Sequence, residues 1–247
     1  MSPARPAGEG LMHHQMLNLA QAAAQAHVEP NELKHCAQRG EIAAQKRGDE
    51  FFFSAADVLE WAQRNLLCES RKVLAASHRE MNAARRRRTA ALELAPLVPA
   101  DAIDLAVPAK TKAGMIRDMA DLAVKSGWVY DVDGLFAALQ AREEAASTAV
   151  GEGAAFLHPQ RHDPYFFERT FIAYGRAVRP VFFGAPDGGA TRHFFVICAT
   201  EHQEHLHILA RLAVLAHGSD LLARLDEAQS PEDVHAAFCA AEAAYCT

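Results

Sequence analysis

The sequence predicts an α/β fold for the C-terminal part of the chain, behind a smaller module of helices and short strands. Helical apolar spacing and short apolar runs alternate from about residue 100 onward, three prolines punctuate the segment just before, and charge divides unevenly across the same region. At 247 residues the chain is long for one compact domain and comfortable for two. Residues 1–94 carry 13 Lys/Arg against 11 Asp/Glu, whereas 95–247 carry 12 against 20. A mildly basic module joined to an acidic body fits a polyanion-facing head and a protein-facing or catalytic partner.

Composition excludes several classes. Half the residues are hydrophobic, yet no run approaches the roughly 20 apolar residues that span a bilayer as a helix. The N-terminal stretch has no apolar h-region, since Leu11-Met12 is followed at once by His13-His14. The five cysteines are odd in number and form no C-x-x-C pair, unlike a secreted disulfide framework. The expectation is a soluble, cytoplasmic protein without membrane insertion.

Residues 1–16 read as a flexible leader. Leu17 to Ala24 suits a short helix, His27-Val28-Glu29 a turn, and Pro30 the first position of a second helix that Gly40 stops. Ile42 and Glu50 to Phe53 flank a polar tip and predict two short strands. Ser54 is placed to cap a helix with Val58, Leu59 and Trp61. These elements bound a module over 17–66. Residues 67–99 read as a helical, Arg-rich linker containing Arg85-Arg86-Arg87-Arg88, closed by an extended stretch because Pro96, Pro99 and Pro108 disfavour helix.

The body then spans 100–247. Lys112 to Lys125 carries Met115, Ile116, Met119 and Leu122 on one face and ends at Gly127. Asp131 or Asp133 is placed to cap a helix from Leu135 to Glu144. Ala154 to Leu157, Thr170 to Val178 and His193 to Ala199 are strand candidates. Leu206 to Ala216 and Asp220 to Ala228 read as helices, and Ser230-Pro231 opens the last one.

One string in the body carries chemistry. Arg142-Glu143 precedes Ser147-Thr148, then Gly151, Gly153 and His158. Arginine offers a planar fork to phosphate oxygens, hydroxyls and backbone N–H groups bind them, and glycine allows close backbone approach. A histidine beside such donors can act as a nucleophile toward phosphorus.

The whole string, Arg142-Glu143 and Ser147-Thr148-Ala149-Val150-Gly151-Glu152-Gly153-Ala154-Ala155-Phe156-Leu157-His158, resembles the signature R-E-x-x-x-S-T-x-[IV]-G-x-G-x-A-[IL]-P-H of type-2 enzyme IIA domains of the bacterial sugar phosphotransferase system. These are the fructose, mannitol and nitrogen-regulatory type. Arg179-Pro180-Val181-Phe182-Phe183, Asp187-Gly188, Glu204 to Ala210 and Ser230 to Val234 extend the resemblance. It implies a mixed sheet flanked by helices, with His158 as phosphoryl acceptor, His205 as a second active-site histidine and Arg142 as electrostatic partner. Ser147, Thr148, Gly151 and Gly153 are then expected to bind phosphate. The implied partners are a phosphorylated HPr-like histidine carrier protein and an enzyme IIB. Leu157 and Pro159 depart from the family, which has Pro before the histidine and Gly or Ala after it. The alternative is an enzyme IIA-like sensing or interaction domain without phosphotransfer. His202, His205 and His207 invite a zinc reading, but spacings of three and five do not share one helical face. No metal or cofactor is expected.

Residues 17–66 resemble the excisionase/MerR-like winged helix-turn-helix, through Leu17 to Ala23, Val28 to Lys34, Arg39-Gly40-Glu41-Ile42, Gly48, Phe51 to Ser54 and Asp57 to Trp61. That likeness implies DNA as a partner. Contacts would come from Asn31, Lys34, His35 and Gln38 on the second helix and from Lys46 and Arg47 in the wing.

Overall fold

The computed structural model describes residues 16–26, 28–48, 50–62, 65, 93–159 and 166–246, in two compact units divided between Leu66 and Leu67. The leader up to residue 15 and the Arg85–Arg88 run lie outside the described residues.

The first unit has β1 (Met16–Asn18), α1 (Leu19–Ala26), α2 (Pro30–Gln38), β2 (Gln45–Arg47), β3 (Glu50–Ser54) and a helix α3 over 55–62. Its antiparallel sheet has the order β1-β3-β2. Leu17 belongs to a strand and not to the expected helix. The reason is a reciprocal cap: Gln21 N donates to Asn18 Oδ1 at 2.9 Å and Asn18 N to Gln21 Oε1 at 3.1 Å, so α1 starts after Asn18. Gly40 (φ +74°) ends α2, and Gly48 (φ +63°) turns the β2–β3 hairpin, both in the left-handed region that glycine tolerates. Leu17, Leu33, Ile42, Phe53, Val58 and Trp61 form the buried centre.

The second unit begins before Ala100. Leu94 and Val98 are fully buried, Ala95–Leu97 and Ala100–Ala102 are single 3₁₀ turns, and Ile103–Val107 is a strand, β4. The expected extended link is therefore part of the domain. Proline is compatible with the first turn of a short helix, and a buried carboxylate completes the fit: Leu94 N donates to Glu242 Oε1 at 2.9 Å and Ala95 N to Oε2 at 3.4 Å. Arg211 lies 3.5 Å from the same carboxylate.

Then follow α4 (Lys112–Val124), α5 (Val132–Ala145), β5 (Ala149–Gly151), β6 (Ala154–Leu157), β7 (Phe171–Val181), β8 (Thr191–Cys198), α6 (His202–Gly218), α7 (Leu221–Glu227) and α8 (Pro231–Cys246). Side chains cap as the sequence suggests. Asp131 accepts from Gly134 N at 2.9 Å, while Asp233 N donates to Ser230 Oγ at 3.2 Å and Ser230 N to Asp233 Oδ2 at 3.0 Å.

The sheet order is β4-β7-β8-β6-β5. β4 runs parallel to β7 and β6 parallel to β8, while β7–β8 and β5–β6 are antiparallel, so the sheet is mixed. Helices cover both faces. Phe156, Tyr174, Phe195 and Ile197 pack with residues of α6, α7 and α8, and Ala155, Leu157, Phe194 and Val196 pack with α4 and α5. Burial on both faces explains why β6 is apolar at every position instead of alternating. Gly175 admits α4 to the sheet, since a Cβ there would lie 2.4 Å from Met119 Sδ.

Candidate functional site

β6 ends at Leu157 and delivers His158 from the interior of the sheet, fully buried. Both ring nitrogens are held. Nδ1 lies 2.8 Å from Phe156 O, and Arg142 Nε donates to Nε2 at 3.1 Å. A guanidinium can only donate, so Nε2 presents its lone pair and Nδ1 carries the proton that it donates to Phe156 O. The partners thereby assign a neutral imidazole with Nε2 as its basic atom.

Arg142 comes from the last turn of α5, is itself buried, and also donates from Nη1 to Ala146 O at 2.8 Å. His205, the fourth residue of α6, brings a second buried imidazole edge-on to His158 with ring centroids 4.9 Å apart. The start of α6 is pinned to the end of the sheet: Thr170 Oγ1 donates to Glu204 Oε2 and accepts from Thr200 N at 3.1 Å. A lone pair, a cation, a second imidazole and the positive end of the 17-residue α6 thus converge on one point. Such a point suits a nucleophile whose product is an anion.

Residues 96–240 match the family described as phosphoenolpyruvate-dependent sugar phosphotransferase system, EIIA 2, which is more than half of the chain. The chain belongs to this family. It is similar to the fructose-specific EIIA component of Haloferax volcanii, 31% identical over 144 residues, covering 58% of this chain and 92% of that protein. The crystal structure of the nitrogen regulatory protein IIA-Ntr from Neisseria meningitidis has a TM-score of 0.53 and 25% identity, over 58% of this chain and 97% of that one. Mannitol enzyme IIA of Escherichia coli, solved in complex with phosphorylated mannitol enzyme IIB, shares the fold with TM-score 0.50 and 23% identity, over 57% of this chain and 96% of that one.

Of the four residues in the EIIA 2 domain expected to bind phosphate, Ser147 and Thr148 have their hydroxyls engaged by the scaffold, and Gly151 and Gly153 lie at the β5–β6 turn. Ser147 Oγ donates to Phe183 O at 2.9 Å, and Thr148 Oγ1 donates to Glu143 Oε2 at 2.5 Å, so both hydroxyl protons serve the scaffold. Gly151 (φ +94°) and Gly153 (φ +80°) turn the β5–β6 hairpin at the far end of β6. Four residues of extended chain, β6 itself, lie between Gly153 and His158, which at about 3.3 Å per step sets them roughly 16 Å apart. Gly153 O instead accepts from Arg192 N at 2.8 Å and His193 N at 2.9 Å. The string is contiguous in sequence, but a strand spreads it from one end of the sheet to the other.

Sequence reasoning missed Glu143 and Lys112. The buried Glu143 carboxylate accepts from Thr148 N at 2.8 Å as well as from its hydroxyl, and Lys112 Nζ lies 2.7 Å from its other oxygen. The adjacent Arg142-Glu143 pair at the helix end was the available signal. Among the described residues no group of three His, Cys, Asp or Glu could hold a metal ion, and no single helix among them is long and apolar enough to cross a membrane. In the first unit Asn31, His35 and Gln38 are exposed on α2, with His35 Nδ1 3.3 Å from Gln38 Oε1, and Lys34 is half-buried. Lys46 and Arg47 are exposed on β2, with the Arg47 guanidinium 5.4 Å from the Phe52 ring centre.

Proposed function

We propose that the EIIA 2 domain accepts a phosphoryl group on Nε2 of His158 from the phosphohistidine of an HPr-like carrier protein and passes it to an enzyme IIB-type acceptor. The observation that carries this reading is the Arg142 hydrogen bond to Nε2, which together with the Phe156 carbonyl on Nδ1 favours the tautomer whose lone pair sits on Nε2. In transfer, the Nε2 lone pair forms a bond to phosphorus as the donor's N–P bond breaks, and the donor imidazole leaves with that electron pair. Nδ1 keeps its proton, and its bond to Phe156 O stabilises the positive charge the ring acquires. His158 is fully buried, so docking of the donor uncovers Nε2 and Arg142 exchanges the nitrogen for phosphoryl oxygens. His205 offers a ring N–H to the same oxygens, and phosphoryl transfer of this kind depends on positioning and charge stabilisation. Incubation with phosphorylated carrier protein is expected to give acid-labile label on His158. A wild-type chain that never labels would leave the alternative, an EIIA-like sensing or interaction domain, as the better account.

We further propose that the first unit binds DNA, which makes the chain a regulator that reads phosphorylation state and not a sugar-specific transport component. Support comes from two short consecutive helices, a Gly48 hairpin that presents Lys46 and Arg47, and the exposed Asn31, His35 and Gln38. Duplex binding by the full chain is expected to weaken with salt, and Lys46→Ala and Arg47→Ala to lower the salt slope by about 1 each. Undetectable binding at low salt would leave a protein-interaction module.

A further inference from the structure

Two neighbouring residues at the end of α5 reach the two nitrogens of His158 by different routes. Arg142 touches Nε2 directly. Glu143 reaches Nδ1 through a relay: its Oε2 accepts from Thr148 N at 2.8 Å and from Thr148 Oγ1, Thr148 O accepts from Phe156 N at 3.0 Å, and Phe156 O accepts from His158 Nδ1 at 2.8 Å. We propose that Glu143 is a positioning residue for phosphoryl transfer, holding the Thr148 and Phe156 peptides so that the Phe156 carbonyl keeps His158 in the Nδ1–H tautomer. The inference deepens the proposed transfer at His158 and rests on it.

Three features favour this role over simple scaffolding. Glu143 is buried, yet its carboxylate is spent on the residue whose carbonyl accepts from Phe156 N and on one half-exposed lysine, Lys112. Thr148 lies one residue before β5, so its bond to Phe156 N is made outside the β5–β6 ladder; what holds Thr148 holds that side of Phe156, while β8 holds the other through Phe195. The relay also ends on the ring nitrogen opposite the attacking one. A hydrogen bond there decides which nitrogen carries the proton and how basic the other is, the same function that outer partners of a ligating histidine perform. Lys112 Nζ, 2.7 Å from the other Glu143 oxygen, supplies the counter-charge.

The test reads rate and tautomer separately. Glu143→Ala is expected to slow labelling at saturating carrier by roughly 10- to 100-fold, the range found when a partner that orients a histidine is removed, with the KM for carrier unchanged. In the unphosphorylated protein, the ¹⁵N shifts of the His158 ring are expected to move from a single Nδ1–H tautomer toward a mixture. Glu143→Gln keeps an acceptor oxygen for Thr148 N and is expected to recover most of both signals. Thr148→Val, which removes only the hydroxyl leg, is expected to shift both readouts in the same direction by less, and it serves if Glu143→Ala fails to fold. Wild-type rate and tautomer in folded Glu143→Ala, or a slowed rate with the tautomer intact, overturns the proposal; should Glu143→Ala not fold, an unmoved tautomer in Thr148→Val does so. If wild type never labels, the transfer reading fails, while the ring shifts still report whether Glu143 sets the tautomer.

Discussion

Two buried histidines stand at opposite ends of paired strands in the second unit, and their partners make them opposites. His158 closes β6 with a cation on Nε2 and a backbone carbonyl on Nδ1. His193, near the start of β8, has Tyr174 Oη 2.9 Å from Nδ1 and the Asp226 carboxylate 3.5 Å from Nε2. Burial holds Tyr174 well above the usual phenol range, so its hydroxyl stays protonated and can donate to Nδ1. Burial also pushes His193 down to about 4, against the opposing pull of Asp226. Arg192 at 2.6 Å pairs with the same Asp226 carboxylate, and Arg176 donates to Leu225 O at 2.8 Å and Asp226 O at 2.6 Å, closing the cluster on the end of α7. At His193 the group facing Nε2 is a carboxylate, itself paired with Arg192; at His158 it is a guanidinium. Burial is common to both, so it is the group facing Nε2 that distinguishes the proposed acceptor, His158, from His193.

Exchange of function between the two is the strongest way to break this comparison. His158→Ala is expected to abolish stable label from a phosphorylated carrier, whereas His193→Gln is expected to label within about threefold of wild type, because only His158 is proposed to form the covalent bond. Label retained in His158→Ala, as measured by incorporation and peptide mapping, would move the acceptor elsewhere.

A smaller effect is expected from the partners of His158. Arg142→Ala and His205→Ala should still accept label but about 10²- to 10³-fold more slowly, the usual cost of losing one donor to a developing charge. Single-turnover labelling distinguishes them from His158→Ala. If either variant is as dead as His158→Ala on that timescale, its side chain does more than stabilise charge.

The smallest effect sharpens the comparison from the other side. The unfolded chain protonates His193 near pH 6.5, the folded chain only near 4. His193 therefore costs no stability above about pH 6.5, and stability falls progressively as pH drops from about 6.5 toward 4, by at most about 3 kcal/mol. Urea unfolding of wild type and His193→Gln at pH 7 and pH 4.5 should show a shallower acid loss in the variant. Equal slopes would mean that His193 is already protonated in the fold, balanced by Asp226.

Sequence alone determined the parts of this protein that local chemistry controls. Apolar spacing placed α4, and the capping residues Asp131 and Ser230 placed the starts of α5 and α8, because they satisfy helix ends within three residues of chain. The contiguous string from Arg142 to His158 pointed to phosphate chemistry and to the family. Tertiary structure decided what depends on partners distant in sequence. Ile103–Val107 became a strand only through β7, roughly 70 residues on, and the proline-bearing segment before it became core only because Glu242 accepts the Leu94 and Ala95 N–H groups. Gly151 and Gly153 lie away from His158 because a strand is long, and the hydroxyls of Ser147 and Thr148 are engaged by Phe183 O and Glu143. A sequence lists which groups are able to donate and accept; the folded chain decides which pairs form, because each proton and lone pair is spent on whichever partner packing brings within about 3 Å.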